Sequence, residues 1–427
     1  MTTSGTHQPG VVIVAMHDGF YGCGTGAGQS NRAFLSIVAD LLAPAVRLAV
    51  LPIRLVPGSS EYDPAWHEQT LAILGDASAD VVPVDNGTAG RTRFGGLDCF
   101  CAASASAAAS TSLLLPRPAR VLIVAFDVPF FGMASLLPPP VRPGLVNVAR
   151  ATAALQAPGD SDRIAWERAG LLATATAGGH IAATSRHIRD HLTAAYDIPQ
   201  PALTNLTNGL TCAEQKPEPV PPLESRLLPA AAERGFLLSF GRAEPYKGFD
   251  DLLDALRILA NSGLRVPHTI LAAVTDGPPP TAYQRHLAHR IDTGHMDVTL
   301  HTTFSSGIRA LLGHPALAGV IVPSRAEPFG RIPLEAYAAG ASPVIATTAG
   351  GLAETVTEPL TGYTASPADP RSLAAAIGRA LTADPAERTR MLAEGRRLTA
   401  TRHDYHANVR AFLTRHAPWA ISGPQSA

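Results

Sequence analysis

Lysine is almost absent from this chain, which contains only Lys216 and Lys247 among 427 residues. Nearly all of its 34 basic residues are therefore arginine, and 35 acidic residues leave a formal net charge of -1. This balance predicts no broad basic face, which argues against binding to nucleic acid or to an anionic membrane surface. Any anion-binding site must be local, and a lysine in such a chain is a candidate functional residue.

Cysteine is also scarce, with four residues at Cys23, Cys99, Cys101 and Cys212. None forms a C-x-x-C pair and no metal-ligand cluster is visible, so we expect reduced thiols and no bound metal. The N-terminal residues lack the apolar core of a signal peptide, and no apolar run of membrane-spanning length is evident. These absences predict a soluble cytoplasmic protein with neither a membrane nor a nucleic-acid partner.

The stretch from Val320 to Glu354 has a regular order of short segments. An apolar run long enough for a buried strand is followed by a polar loop, a helix, a second apolar run and a Gly-rich turn. Pro333 suits the first turn of the helix, and Gly340 suits its end. This pattern predicts a parallel α/β unit, whose ligands bind at the carboxyl ends of the strands.

Two carboxylates in this stretch are candidate sugar ligands, Glu327 on the loop and Glu335 in the helix, with seven residues between them. Backbone N–H groups at the helix start, near Gly330 and Arg331, suit an anionic diphosphate. The turn at Gly350-Gly351 offers further backbone donors that no side chain blocks. One site could therefore hold sugar, phosphates and ribose, although glutamates are mostly solvated surface groups.

A second stretch has the same organisation. Residues 236–240 read as a strand that ends in a Gly turn, followed by an amphipathic helix over 249–260. Arg242 and Lys247 lie five residues apart in that turn. A guanidinium offers a bidentate fork to phosphate oxygens and an ammonium a point charge, so the pair is a candidate phosphate site.

Both stretches resemble the nucleotide-sugar half of a GT-B retaining glycosyltransferase of the GT4 family, the glycosyl transferases group 1. Glu327 and Glu335 match the family's E-x7-E element. Gly241-Arg242 with Lys247-Gly248 matches its phosphate-binding loop, and residues 348–354 match its second Gly-rich element. The order and spacing of these motifs agree with those of the family across residues 236–365, whereas the N-terminal half of the chain matches the family only in outline. The resemblance implies an α/β fold with two Rossmann-like domains facing across a cleft.

The domain organisation expected from this resemblance has four parts. Residues 1–212 form an N-terminal, acceptor-side Rossmann-like domain, and 213–234 form a Pro-rich linker. Residues 235–400 form a C-terminal Rossmann-like domain that binds the nucleotide sugar. A C-terminal helix within 401–420 crosses back to the N-terminal domain.

The resemblance also implies roles for individual residues. Arg242 and Lys247, with helix-start amides, would stabilise the departing diphosphate, while Glu327 would hold the sugar hydroxyls and Glu335 the ribose. The predicted catalytic residues are Arg242, Lys247, Glu327 and His17. The predicted nucleotide-sugar ligands are Gly26, Gly241, Arg242, Lys247, Phe329, Gly330, Arg331, Ile332, Glu335, Gly350, Gly351 and Leu352.

The N-terminal half departs from the family at one position that bears on the sugar. GT4 enzymes often carry a histidine at a strand end near the transferred sugar, where this chain has Asp127 and Arg150. His17, in a loop after the first strand, is a candidate functional replacement. The Gly-rich residues 24–28 form a weak dinucleotide motif without an acidic ribose partner, so we expect Gly26 to meet the donor phosphate or the acceptor.

The expected reaction moves a sugar from a nucleotide-diphosphate sugar, UDP or GDP, to a small acceptor through oxygen, nitrogen or sulfur. It is metal-independent, uses no cofactor and retains the anomeric configuration. The Ala-, Arg- and Pro-rich composition is typical of a GC-rich genome and favours natural-product tailoring. A homodimer is left open, as are the base, the sugar and the acceptor.

Other activities remain open at this stage. A nucleotide-sugar epimerase shares a two-domain α/β layout but needs an acid and a base that the paired elements do not supply. A non-catalytic, glycosyltransferase-like partner protein would bind without turnover, which intact phosphate-site residues argue against. A pyridoxal-dependent phosphorylase is disfavoured because neither Lys216 nor Lys247 has a suitable context for a Schiff base.

Overall fold

The structure is a computed structural model that describes residues 10–23, 25–115, 120–216, 227–275, 279–303 and 305–422. The described residues up to Asn208, together with those from Tyr405, form unit 1, and Gly209–Asp404 form unit 2. The predicted boundaries at 212, 234 and 400 stay predictions. Residues 217–226 of the predicted linker lie outside the described residues.

Unit 1 is built on a parallel sheet with the strand order β3-β2-β1-β4-β5-β6-β7. Its central strand β1 buries both faces: Val12 and Val14 join one core cluster, and Val11 and Ile13 join the other. A continuous apolar run of this kind is characteristic of a parallel sheet covered on both sides. The strands are β1 (Gly10–Met16), β2 (Val46–Pro52), β3 (Asp80–Val81), β4 (Arg120–Phe126), β5 (Leu145–Ala149), β6 (His180–Ala183) and β7 (Leu203–Asn205).

Helices connect these strands and cover the sheet. They are α1 (Gly26–Leu41), α2 (Pro64–Asp76), α3 (Leu97–Leu114), α4 (Met133–Leu136), α5 (Ala153–Gln156), α6 (Ser161–Thr176) and α7 (Arg186–Tyr196). The apolar period alone predicts a helix from Asn31, but α1 begins five residues earlier, because the Thr25 hydroxyl accepts a hydrogen bond from the Gly28 N–H and caps the helix there.

Contrary to the expectation from the sequence, helix α3 is long and apolar enough, by length and composition, to be a candidate membrane span. Its small residues Ala103 and Ala107 pack in the same core cluster as Ile13 and Leu51. One face of the helix is therefore part of the domain core, so its apolar composition is weak evidence for a membrane.

Unit 2 contains a parallel sheet with the order β10-β9-β8-β11-β12-β13. Its strands are β8 (Phe236–Arg242), β9 (His268–Thr275), β10 (Val298–Thr303), β11 (Leu317–Val322), β12 (Val344–Thr347) and β13 (Tyr363–Ala365). Its helices are α8 (Phe249–Asn261), α9 (Ala282–Thr293), α10 (Ser306–Ala310), α11 (Ile332–Ala339), α12 (Leu352–Thr355), α13 (Pro370–Thr382) and α14 (Pro385–Arg402). The three residues of β13 are too few for a periodic signal in the sequence.

Each sheet has a point where the strand order reverses, between β1 and β4 in unit 1 and between β8 and β11 in unit 2. The chain leaves neighbouring strands in opposite directions there, which opens a crevice beyond their carboxyl ends. His17 follows β1, and Lys247 lies in the loop after β8. The fold therefore places predicted site residues at both reversal points.

The C-terminal helix α15 (Tyr405–His416) belongs to unit 1. Phe412 and Val409 are buried in the cluster that contains Phe34 of α1, and the rings of Phe412 and Phe34 are 6.2 Å apart between centroids. The helix is thus a structural part of the first unit.

Replacing Phe412 by alanine should therefore destabilise unit 1. Removing a buried phenyl ring costs about 3–5 kcal/mol in the free energy of unfolding. Arg410→Ala, at an exposed position of the same helix, should change stability by less than about 0.5 kcal/mol. Urea unfolding followed by circular dichroism compares the two variants, and equal losses would contradict the packing described.

His416 of α15 gives unit 1 a predicted pH dependence. Burial, together with the charges of His180 and Arg415, lowers the pKa of His416 to about 4, and its Nε2 lies 2.9 Å from the Thr204 hydroxyl. The unfolded side chain titrates near pH ~6.5, so between these values the unfolded chain binds more protons. The contribution of His416 to the free energy of unfolding should be fully present above pH ~6.5 and should decline as the pH falls toward ~4.

After allowance for the ring's partial exposure, this decline should amount to about 1 kcal/mol. The variant His416→Gln should remove it, whereas His406→Gln on the same helix should not. Melting temperatures measured from pH 7.5 to pH 4 test the assignment. A wild-type protein that gains stability over that fall in pH, relative to His416→Gln, would contradict it.

Candidate functional site

The predicted nucleotide-sugar residues of unit 2 lie on three loops at one edge of its sheet and in the first turns of the helices that follow two of these loops. These loops follow β8, β11 and β12, and the first two flank the point where the strand order reverses. Arg325 ties two of them together: its backbone N–H donates to the Tyr246 carbonyl, and its guanidinium makes two 2.7 Å hydrogen bonds with Asp251 of α8. A bidentate pair of this kind fixes the geometry of both loops.

An ion pair joins Lys247 and Glu327 within this edge. The Lys247 Nζ lies 2.5 Å from Glu327 Oε2, and the side chains are only 16% and 12% exposed. The Ser324 hydroxyl donates to the same carboxylate oxygen at 3.2 Å. Burial alone would lower the pKa of Lys247, but the Glu327 carboxylate outweighs it and raises this pKa, so the ammonium stays charged.

The loops after β11 and β12 are in direct contact. The Gly351 N–H donates to the Glu327 carbonyl at 2.8 Å, and a Cβ at Gly351 would lie 2.5 Å from the Phe329 Cα. Gly330 has φ +84, and a Cβ there would lie 2.5 Å from Leu352. Side chains at these two glycines would separate the loops, so the predicted residues from Glu327 to Gly330 and from Gly350 to Leu352 form one cluster.

Gly241 and Arg242 border this cluster. A Cβ at Gly241 would lie 3.9 Å from the Lys247 side chain. The Arg242 side chain is 51% exposed, and its guanidinium contacts Glu244 at 3.5 Å. Arg242 is therefore the more solvated of the two predicted phosphate ligands.

Glu335 lies in a different environment from the one the sequence suggested. Its buried carboxylate accepts hydrogen bonds from Arg331 at 3.1 Å and from Arg309 at 3.2 Å. Arg331 is also buried, and it donates to the Gly209 carbonyl and to Glu214. The Arg331 guanidinium thus joins the start of α11 to residues 209–214, an arrangement that the sequence motif does not reveal. Its role as a nucleotide-sugar ligand, like those of Ile332 and Glu335, stays a prediction.

This network predicts that Arg331→Leu strongly destabilises unit 2. Removing one partner of a buried ion pair leaves carboxylates without compensation and costs about 3–5 kcal/mol. The control Arg257→Leu breaks an exposed pair with Asp254 and should cost about 1 kcal/mol or less. Urea unfolding measures both. Equal stabilities of the two variants would contradict the structural role of Arg331.

A second polar cluster lies at the reversal point of unit 1. Asp127, which follows β4, is buried and interacts electrostatically with His17 and Arg150. Burial raises the pKa of Asp127, although these charges and the backbone N–H groups of Arg150 and Ala151 oppose the rise. The sequence identified Asp127 and Arg150 only as departures from the family. Their position at neighbouring strand ends was the available signal.

Gly26 lies in the first turn of α1, close to a negative charge. Asp18 is buried, and its carboxylate accepts a hydrogen bond from the Thr25 hydroxyl at 2.6 Å. A Cβ at Gly28 would lie 2.6 Å from that carboxylate. The protein therefore supplies its own anion at this helix start, a position where helix dipoles favour negative charge. Contact of Gly26 with a donor phosphate or acceptor stays a prediction, and Gly24 lies outside the described residues.

The described residues contain no group of three or more His, Cys, Asp or Glu side chains arranged to hold a metal ion. The sequence does contain one Asp-x-Asp triplet, at Asp160 and Asp162. Asp160 caps helix α6 by accepting a hydrogen bond from the Arg163 N–H, and the residue is exposed. Metal independence stays a prediction.

Residues 224–398 match the family model of glycosyl transferases group 1. A GDP-mannose-dependent alpha-(1-6)-phosphatidylinositol monomannoside mannosyltransferase of Mycolicibacterium smegmatis is 34% identical over 222 residues, which are 50% of this chain and 55% of that protein. A D-inositol 3-phosphate glycosyltransferase of Salinispora tropica is 31% identical over 186 residues, which are 42% of this chain and 38% of that protein. The chain therefore spans about half or less of these relatives' length.

Solved structures share the fold across both units. A sucrose-phosphate synthase from Thermosynechococcus elongatus has a TM-score of 0.71 at 19% identity, with 96% of this chain and 99% of that one covered. Anabaena HepE in complex with UDP and glucose has a TM-score of 0.67 at 18% identity, with 96% and 100% covered.

The two parallel α/β units and the similarity to these solved structures show that the protein has the GT-B fold of glycosyltransferases. The particular family follows from the match over residues 224–398, so this part of the chain belongs to the glycosyl transferases group 1. The resemblance drawn from Gly241, Lys247, Glu327 and Glu335 is thereby confirmed.

Proposed function

We propose that this chain is a retaining glycosyltransferase that moves a sugar from a nucleotide-diphosphate sugar to a small acceptor. The observation that carries the proposal is the buried ion pair between Lys247 and Glu327 beside the contacting Gly-rich loops of unit 2. It places a fixed positive charge and a fixed carboxylate at the strand ends where α/β sheets bind ligands.

The donor in this proposal is a UDP-sugar or a GDP-sugar. The mannosyltransferase of Mycolicibacterium smegmatis is named for its dependence on GDP-mannose, and Anabaena HepE was solved with UDP and glucose. These names support both nucleotides and do not choose between them. A role in natural-product tailoring stays a prediction from composition.

Lys247 would act on the leaving group. As the bond from the sugar to the diphosphate breaks, negative charge grows on the phosphate oxygen. A charged ammonium that is already held in place stabilises this oxygen without reorganisation at the moment of reaction. Glu327 raises the pKa of Lys247 and fixes its position, which keeps the group positive and directed. Arg242, which is more exposed, would add a second cation.

Glu327 would also bind the sugar. Its carboxylate has two oxygens, and Oε2 is shared by Lys247 and the Ser324 hydroxyl. A carboxylate accepts several hydrogen bonds, so it has capacity left for sugar hydroxyls. The N–H groups of the loops around Gly330 and Gly351 would contact the phosphates, and Glu335 would hold the ribose. The acceptor atom in this proposal is an oxygen, a nitrogen or a sulfur.

The proposal predicts selective loss of nucleotide binding when the charge of Lys247 is removed. Lys247→Met should weaken binding of UDP or GDP by about tenfold to a hundredfold, since it removes a charge-assisted hydrogen bond. Calorimetry with UDP, GDP, ADP and TDP measures this loss. Lys216→Met is the matched control, because Lys216 is the other lysine, lies in unit 2 and is exposed.

Turnover tests the same residues in the reaction. Lys247→Met and Glu327→Gln should each lower the rate of glycosyl transfer by about 10²–10³. Near wild-type turnover in both variants would refute the assignment. Release of nucleotide diphosphate only when an acceptor is present supports a transferase, while interconversion of the donor sugar without release would indicate an epimerase. Binding without product under a broad acceptor screen would indicate a non-catalytic partner protein.

A further inference from the structure

Two polar side chains, His17 and Asp127, lie on neighbouring strands at the reversal point of the unit 1 sheet. Strands β1 and β4 are parallel and pair Met16 with Phe126, so His17 and Asp127 are the next residues on each strand. Asp127 interacts electrostatically with both His17 and Arg150. The sheet register alone therefore brings the histidine and the carboxylate together.

Both side chains have a buried polar atom without a hydrogen-bond partner. These atoms are the Nδ1 of His17 and the Oδ1 of Asp127, within the described part of the chain. Buried polar atoms are nearly always hydrogen-bonded, so these two atoms, and the likewise unpaired Nη1 of the neighbouring Arg150, need an explanation. The Nδ1 of His17 can donate and the Oδ1 of Asp127 can accept, so these two atoms are complementary to each other.

The backbone at Asp127 has an uncommon conformation, with φ 73 and ψ -177 in a region that favours glycine. Strain of this kind in a non-glycine residue persists only where the surroundings impose it, and it concentrates at functional sites. It turns the chain directly after β4 while the residue stays buried. The conformation is thus a second, independent sign that the position of this carboxylate matters.

Side chains from other elements contact His17 and the neighbouring Arg150. The His17 ring packs against Phe94, with 5.6 Å between ring centroids. Arg150 is held by the Asn31 side-chain oxygen at 2.7 Å and the Tyr405 hydroxyl at 3.1 Å. The Arg150 guanidinium thus supplies a fixed positive charge near Asp127. This charge favours the ionised carboxylate, which is the better hydrogen-bond acceptor.

We propose that Asp127 is a positioning residue for His17. When substrate binds, the Asp127 carboxylate accepts a hydrogen bond from Nδ1 of His17 and directs Nε2 to a neutral hydroxyl group of a carbohydrate. Hydrogen bonds of this kind are often unformed in the free protein and form in the complex. The inference rests on the proposed function, and the hydroxyl belongs either to the transferred sugar or to the acceptor.

A double-mutant cycle tests whether the two residues act as one unit. The variants are His17→Ala, Asp127→Ala and the double variant, and Asp80→Asn is the control because Asp80 forms an exposed pair with Arg47 in the same unit. One arm compares binding of UDP-glucose with UDP and of GDP-mannose with GDP by calorimetry. The second arm measures binding of glucose to protein saturated with UDP or GDP.

Each single variant should reduce the extra affinity that the sugar provides by about tenfold, and the double variant should lose no more than either single variant. Asp127→Asn should recover part of the loss, because the amide oxygen can accept from Nδ1 and asparagine tolerates positive φ. A purely structural role would give neither non-additivity nor this recovery. A loss confined to the first arm assigns the hydroxyl to the transferred sugar, and a loss confined to the second assigns it to the acceptor.

Independent losses that multiply in the double variant would overturn the inference, as would wild-type affinity in Asp127→Ala. Nucleotide binding with no contribution from sugar in either arm would overturn this inference and leave the proposed function standing. Wild-type protein that binds none of the probes would overturn both. Thermal unfolding of each variant shows whether it is folded, and Asp127→Asn supplies the test if Asp127→Ala is not.

Discussion

The pairing of Lys247 with Glu327 is the interaction on which the rest of the account depends. A buried ammonium is unfavourable without a partner, and a buried carboxylate is equally unfavourable. Their 2.5 Å contact resolves both problems and leaves two opposite charges fixed at the ends of β8 and β11. Because Lys247 is one of two lysines in the chain, its burial is a specific feature rather than a general property of the surface.

The two units carry similar groups of charged side chains at corresponding positions of their sheets. Each has a polar group of opposite charges where the strand order reverses, Lys247 with Glu327 in unit 2 and Asp127 with Arg150 in unit 1. Apolar strands such as β1 and β8 hold these groups in place, since their buried side chains fix the register of the neighbouring strands. The charged side chains therefore lie in the loops, and the packing of the apolar core fixes the positions of these loops.

Much of this arrangement could be predicted from the sequence. The bounds of strands β4 and β5 and of helix α15 can be read from the sequence, because their apolar patterns are strong and their ends are marked by charge or proline. The family and fold were predicted because Lys247 and Glu327 belong to spaced motifs. Both residues lie next to glycine-containing turns, and this placement in the sequence is what indicated the family.

Other features could not be predicted because they depend on tertiary contacts. The partners of Glu335 come from Arg309 and Arg331, and those of Arg331 include Gly209, which is remote in sequence. The early start of α1 depends on the Thr25 cap, which an apolar period does not show. The orphaned atoms of His17 and Asp127 require the parallel register of β1 and β4.

The most direct test of the central claim is a crystal structure of the protein with bound UDP or GDP. The account predicts a diphosphate oxygen within about 3 Å of the Lys247 Nζ, with the Gly330 and Gly351 loops against the phosphates. A diphosphate bound elsewhere, with Lys247 still paired to Glu327 and remote from the nucleotide, would contradict it.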